Sequence, residues 1–232
     1  MYWTIVNHFA CPSRALKLSA TELRSFILHS TNKNISIDRA THIAEKLLTL
    51  AKKAYPVVND NSYVYEQIAY LTNRVIEEVH EKEKIISEMQ HEAEGLSEYN
   101  LLLTIPGFGV RTVTSLIGEL GDIRRFHSSN ALNAYIGIDL RHYESGNFVA
   151  TDHISKRGNA IARKILFKSI QNIAVAGHFH PNHINDFYQK RKKQSSQPGT
   201  KKIAIAAIHR LLRTIYHLVK YNQPYNYQIA KV

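Results

Sequence analysis

Between Tyr63 and Glu94 the chain contains neither proline nor glycine, and Ile68, Leu71, Val75, Val79, Ile86 and Met89 recur at near-helical spacing among dense Glu and Lys. That pattern predicts one long amphipathic helix. Lys82 and Glu83 interrupt its apolar stripe, which leaves two arrangements open: a coiled coil with a second copy, or a helix lying across its own domain.

Upstream, the periodicity predicts helices over 21–29 and 38–54, with Ile43, Leu47, Leu50 and Ala51 sharing a face of the second. Pro56 and the cluster Asn59-Asp60-Asn61-Ser62 mark a linker. Downstream the composition changes, and Gly107, Gly109, Gly118, Gly121, Gly137, Gly146 and Gly158 punctuate shorter elements. Helices are expected over 110–120, 129–135, 159–176, 182–191 and 201–221. Between Ile138 and Ile154 the pattern turns to Tyr, Phe, Val and Thr around Ser145-Gly146-Asn147, the signature of a small β-hairpin. The expectation is a mainly α protein: an N-terminal helical segment over 1–57, a long connecting helix over 58–95, and a C-terminal domain over 96–232.

Lys and Arg number 30 against 19 Asp and Glu, a formal charge of +11 in 232 residues. Such a surface attracts polyanions by counterion release, so nucleic acid and anionic membranes both fit the charge. The apolar runs are interrupted by Lys, Arg, Asn or Gln, which argues against a membrane span. Met1 to Cys11 lacks the basic and apolar regions of a signal peptide. The single cysteine, Cys11, suits a reducing compartment, and the cytoplasm is the expected location.

The segment Leu101-Leu102-Leu103-Thr104-Ile105-Pro106-Gly107-Phe108-Gly109 joins two helical patterns. A helix-hairpin-helix needs such glycines, because its turn brings main-chain N–H groups against a DNA phosphate at a helix N-terminus. The donors are expected near Gly107, Gly109, Val110 and Arg111, with Ile105 and Phe108 packing the helices together. An ordinary tight connection between helices is the competing reading.

From Leu101 to Tyr221 the chain resembles the C-terminal domain of the insertion-sequence one-ten family of transposases. The resemblance is carried by Ile105-Pro106-Gly107-Phe108-Gly109, Gly118-Glu119-Leu120-Gly121-Asp122-Ile123 with Arg125-Phe126, Leu132-Asn133-Ala134-Tyr135-Ile136-Gly137-Ile138, Ser145-Gly146 and Ile154-Ser155-Lys156-Arg157-Gly158-Asn159, followed by a late helix. It implies a DNA recombinase with a serine nucleophile, a RuvC-like domain whose acidic residues bind Mg²⁺, a guide RNA encoded by the element, and a homo-oligomer. The sequence begins downstream of where that acidic domain is expected, so no metal ligand is assigned within it and no cofactor is expected on this chain alone. The expectation is a subunit inactive without the acidic domain, and the alternative is a non-catalytic DNA-binding module or an inactive remnant.

The resemblance places the catalytic serine at Ser145. A serine hydroxyl is a weak nucleophile and needs a proton acceptor together with cationic stabilisation of the charge developing on phosphate. Arg141, His142, His153, Lys156 and Arg157 are near in sequence. The competing readings are a plain Ser-Gly turn and a nucleophilic Ser155, whose blander role is to precede a helix that Ser or Asn caps.

Lys156 and Arg157, and Lys190 to Lys193 with Lys201 and Lys202 around a Gln-Ser-Ser-Gln-Pro-Gly loop, are candidate phosphate contacts, with Lys192, Lys193, Lys201 and Lys202 the leading ones of the second group. His178, His180 and His183 read as a DNA-facing or solvated cluster in preference to a metal site. Tyr221, Tyr225 and Tyr227 read as a loose tail, with base stacking as the alternative. The stripe Ile203, Ala206, Ala207, Leu211, Ile215 and Leu218 reads as core.

Overall fold

A computed structural model describes residues 1–31, 34–141, 144–145, 148–149, 153–194 and 200–230, with the side chains of 141, 144–145 and 148–149 outside that description. The chain is mainly α-helical. It forms two compact units, Met1–Lys84 and Ile85–Val232, with the boundary inside the long helix.

The first unit holds α1 (Tyr2–His8), α2 (Pro12–Leu16), α3 (Ala20–His29), α4 (Ile37–Lys53) and the larger part of α5 (Tyr63–Glu94). Ser19 opens α3 with a reciprocal cap: its side chain accepts from Glu22 N–H, and Glu22 accepts from the Ser19 backbone. Ser36 caps α4 in the same position. Leu23 and Ile27 of α3 are buried against Ala40 and Ala44 of α4. The small alanines set the buried face, so the expected face shifts: Ala51 is buried and Leu50 is 57% exposed. At 3.6 residues per turn Leu50 lies roughly 100° from the line through Ala40, Ala44 and Ala51. Within this unit α5 buries Tyr65 and Thr72, while Leu71 of the expected stripe stays 60% exposed. The Asn7 amide donates to the Ala69 carbonyl and to Thr72 Oγ1, both at 2.8 Å, and thereby fixes α1 against that face.

The second unit contains α6 (Ser97–Leu103), α7 (Val110–Leu120), a 3-10 turn (Ile123–Arg125), α8 (Ser129–Ile136), α9 (Ala160–Ala176), α10 (His183–Gln194), α11 (Lys201–Tyr221) and a final turn, α12 (Tyr227–Ala230). At its centre is α11. Ala204, Ala207, Ile208, Leu211, Leu212, Ile215, Leu218 and Val219 are buried along it, and it packs on α6, α8, α9, α10 and the 3-10 turn. Four of the six residues in the predicted stripe are fully buried, with Ile203 and Ala206 half-buried. Ile208, Leu212 and Val219 extend burial to a second face, because neighbours approach from more than one side.

Between α8 and α9 the chain forms an antiparallel ribbon. β1 (Leu140–Arg141) pairs with β4 (His153–Ile154), and β2 (Glu144–Ser145) pairs with β3 (Phe148–Val149). Two close approaches of glycine hold this region and the α6–α7 turn in place. A Cβ on Gly158 would sit 2.1 Å from the Tyr135 carbonyl oxygen and 2.5 Å from the Gly137 nitrogen. Gly107 has φ +88°, and a Cβ there would meet the α9 backbone at Ile173 N, 2.7 Å away.

Gly158→Ala is expected to destabilise the second unit by about 1–3 kcal/mol or more, since overpacking against backbone leaves no flexible neighbour to yield. Chemical denaturation checks this, and an unchanged midpoint would show that the α8–α9 junction relaxes without cost.

Candidate nucleic-acid interface

The α6–α7 turn is built from both ends. Ile105 and Phe108 are buried, as expected, and Phe108 N–H closes the turn on the Ile105 carbonyl at 3.0 Å. The two glycines have different environments. Gly107 is required by its left-handed backbone and by contact with α9. Gly109 has an ordinary extended backbone, and a Cβ added there would meet nothing within 4 Å. Gly109 is the N-cap of α7 and supplies no side-chain cap to the first helical turn, where Val110 and Arg111 are exposed. A positive helix end that opens onto accessible space, with a charged Arg beside it, suits an anion.

The second group of expected contacts lies elsewhere. Lys156 follows β4 with φ +55°, held by a bond from its N–H to the Gly137 carbonyl at 2.9 Å. Lys156 and Arg157 are exposed. Ser155 caps no helix; its N–H donates to the Asp139 carbonyl at 2.9 Å and its hydroxyl donates to the Asp139 carboxylate. Asn159 is the cap of α9, and its amide donates to Glu119 Oε2 at 2.8 Å. His209 contacts the Ile138 carbonyl at 3.0 Å. The ribbon base is therefore clamped to α7, α8, α9 and α11.

Helices α7 and α9 run antiparallel, because Gly107 meets Asn172 and Ile173 while Glu119 meets Asn159. At 1.5 Å per residue the turn and the Lys156-Arg157 segment lie roughly 18 Å apart along α9. The fold thus separates two groups of candidate phosphate contacts that the sequence gives no means of arranging. Ser145 belongs to the pair nearest the ribbon tip, Ser145 with Phe148. Its side chain and that of Arg141 lie outside the described residues, as do His142 and Gly146. Lys192 and Lys193 end α10, and Lys201 and Lys202 begin α11, all exposed, while 195–199 lie outside the described residues.

His183 and the tyrosine-rich end depart from their expected roles, while His178 and His180 are solvated as expected. His178 and His180 are exposed, whereas His183 is half-buried and committed to a hydrogen-bond chain. The Thr214 hydroxyl donates to the Arg210 carbonyl at 3.0 Å, so His183 Nε2–H is the donor in its 3.2 Å contact with Thr214 Oγ1. His183 Nδ1 then accepts from the Tyr225 hydroxyl at 2.9 Å, and that oxygen accepts from the His183 backbone N–H at 3.2 Å. The neutral ring satisfies every member of the chain. Burial pushes the His183 pKa down, Arg210 adds to the effect, and Asp186 opposes it. Tyr225 N–H donates to Thr104 Oγ1 at 2.8 Å, and the Tyr227 hydroxyl donates to Asp186 at 2.9 Å. The tyrosine-rich end is thus a docked segment in place of the loose tail expected. Sequence reading missed this site because its partners lie on four separate elements.

These features define a basic helical protein with an open helix end at a glycine turn and a clamped β-ribbon. Residues 99–189 match the family model described as Transposase IS116/IS110/IS902 family, so this segment carries the sequence of that family of transposases. It is similar to the pilin gene-inverting protein of Moraxella bovis, 31% identical over 174 residues, covering 72% of this chain and 50% of that protein. It is also similar to the transposase for insertion sequence element IS1111A of Coxiella burnetii, 34% identical over 98 residues, covering 40% of this chain and 27% of that protein. The transposase for IS1328 of Yersinia enterocolitica is 27% identical over 151 residues, covering 64% and 42% respectively. The chain spans half or less of the length of these relatives. No helix among the described residues is long and apolar enough to cross a membrane.

The depressed His183 pKa fixes a sign. Above the ordinary imidazole value of about 6.5, folded and unfolded chains both carry neutral His183 and the docking is complete. Below it the unfolded chain takes the proton first, so this contribution to stability is lost as pH falls. Thermal unfolding between pH 7.5 and 5 is expected to fall more steeply for the wild type than for His183→Gln; parallel profiles would remove His183 as a cause.

Proposed function

We propose that the chain is the DNA-binding part of a recombinase that cleaves and rejoins strands, with Ser145 as nucleophile. The observation that carries the reading is the α7 N-terminus, where Gly109 leaves room for a phosphate within the segment that matches the transposase family. The α6–α7 connection acts as a helix-hairpin-helix: main-chain N–H groups near Gly109, Val110 and Arg111 hold one phosphate without reading sequence. Gly107 serves the turn by permitting its approach to α9. Lys156, Arg157, Lys192, Lys193, Lys201 and Lys202 extend the grip as separate backbone contacts.

Ser145 Oγ attacks the phosphorus of the scissile phosphodiester. A Ser–O–P bond forms, the P–O bond to the departing strand breaks, the serine proton passes to an acceptor, and the departing oxygen leaves as a hydroxyl. The hydroxyl of a second strand then attacks the phosphoserine, restoring a phosphodiester and releasing the serine. The number of phosphodiester bonds is conserved, so no nucleotide cofactor is consumed. The clamp at Asp139 and Ser155 positions the ribbon that bears Ser145.

A complete enzyme of this kind is implied to use Mg²⁺. Among the described residues no three His, Cys, Asp or Glu side chains converge on a possible metal position. This donor set does not fit the ion, and no step is assigned to it here. An acidic RuvC-like domain, an element-encoded guide RNA and a second copy of the chain are the partners implied by the resemblance. A non-catalytic DNA-binding module is favoured by one observation: the α7 N-terminus is complete without the ribbon.

Incubation with labelled duplex and branched DNA in Mg²⁺, with the acidic domain supplied in trans, separates these readings. A denaturation-resistant protein–DNA adduct is expected in the wild type and in Ser155→Ala, and absent in Ser145→Ala. Retention of the adduct in Ser145→Ala overturns the assignment, and salt-sensitive binding with no adduct supports the non-catalytic module. Arg111→Gln is expected to weaken duplex binding and make its salt slope shallower by about 0.9, the value for one phosphate that the protein no longer neutralises.

A further inference from the structure

The docked C-terminal segment leaves a cavity of about 540 Å³ against α11, lined by His183, Arg210, Arg213, His217, Tyr225 and Ile229 among others. Its size falls within the range of small-ligand sites. Arg210, Arg213 and His217 stand at i, i+3 and i+7, on one face of α11. Two guanidiniums so placed stay charged at every accessible pH. Among the described residues neither has a carboxylate within ion-pair distance. The nearby acid, Asp186, accepts from the Tyr227 hydroxyl. The Arg210 guanidinium lies over the Phe187 ring, 4.4 Å from its centroid, a support that orients its plane.

The remaining wall is mixed, with polar Thr214, Gln223 and Asn226 beside apolar and aromatic residues. Pro224, Tyr225 and Ile229 face the cavity, and Ile229 is 71% exposed. A lining that combines guanidiniums, side-chain amides and an aromatic ring matches a ligand that carries a phosphate and a flat ring with polar edges. Tyr225 also ties the cavity to the α6–α7 turn through its N–H bond to Thr104.

We propose that this pocket receives one nucleotide of a single strand, its phosphate on Arg210 and Arg213 and its base against Tyr225 and Ile229. Such a pocket holds a strand end or an unpaired nucleotide next to a duplex gripped by the turn. The proposal rests on the nucleic-acid reading above, and it adds a contact for which a continuous duplex lacks a free base. Unstacked bases gain from aromatic contact and phosphates from arginine, with little demand for sequence.

The test uses the full chain and fluorescence anisotropy with labelled oligothymidylate, its oligouridylate counterpart and a blunt duplex. The double variant Arg210→Gln, Arg213→Gln is expected to bind single strands on the order of tenfold more weakly and to keep duplex affinity. Its single-strand salt slope is expected to be shallower by about 0.7 for each phosphate that goes without its arginine. Equal weakening on both single strands assigns the pocket to either nucleic acid, and weakening on one alone names its source. Unchanged single-strand affinity, or an equal fall for duplex and single strand, overturns the proposal. Absent duplex binding by the wild type instead removes the grip at the turn, and the single-strand arm still reads the pocket. Thymidine monophosphate is expected to compete better than inorganic phosphate; equal competition overturns the place given to the base. Because the double variant risks misfolding, photo-crosslinking of bromodeoxyuridine oligonucleotide to the wild type gives a second reading. The adduct is expected on the tryptic peptide 221–231, and an adduct confined to other peptides overturns the proposal.

Discussion

The burial of α11 is the constraint on which the second unit depends. Ile208, Leu211, Leu212, Ile215, Leu218 and Val219 leave water together, each contributing about 2 kcal/mol on transfer, and they do so only if α6, α8, α9 and α10 surround the helix. A helix buried on more than one face organises its neighbours and turns their remaining faces outward. The exposed starts of α7 and α11, the end of α10 and the ribbon follow from that arrangement. Basic side chains on such a body collect at helix ends, as at Arg111, Lys192, Lys193, Lys201 and Lys202.

Within this frame two glycine approaches set distances that longer side chains could not. Gly107 brings the α6–α7 turn onto the C-terminal half of α9, and Gly158 brings the start of α9 onto the end of α8. The antiparallel α7–α9 pair then acts as a spacer between the turn and the ribbon base. Asp139 and Ser155 close the base by two hydrogen bonds, and the His209 contact with Ile138 ties it to α11. A ribbon mounted in this way has a fixed root, so residues along it keep a repeatable position relative to α8 and α9.

The electrostatics are arranged with the same economy. A neutral His183 accepts one hydrogen bond and donates another, so the C-terminal segment docks with no buried proton charge beside Arg210. Arg210 and Arg213 keep their charge facing the cavity, while the buried Glu98 is matched by Arg124 at 3.0 Å. That pair has a partner for each charge, as a buried carboxylate demands. The arginines of the cavity have none among the described residues, and the contrast directs attention to an anionic ligand there.

Periodicity alone determined the long helices α5 and α11, because each alternates apolar and polar residues at 3.6 spacing over several turns with no internal breaker, and in α7 the apolar period persists through Gly118. The sequence also carried the turn at Gly107, the ribbon around Ser145 and the positive charge, since glycine placement and residue type act locally. Short α1, α2 and α12 were not legible, having too few residues for a period to register. On α4 the expected face holds at Ile43, Leu47 and Ala51 and fails at Leu50, because Ala40 and Ala44, which count weakly in a hydrophobic pattern, turn the helix toward their own closer packing. Only the tertiary structure decided that Gly107 serves packing while Gly109 opens to solvent, that the turn and Lys156 stand at opposite ends of α9, and that Tyr225 docks on His183. Each of these depends on contacts between residues far apart in the chain, and such contacts arise only when the helices have found their neighbours.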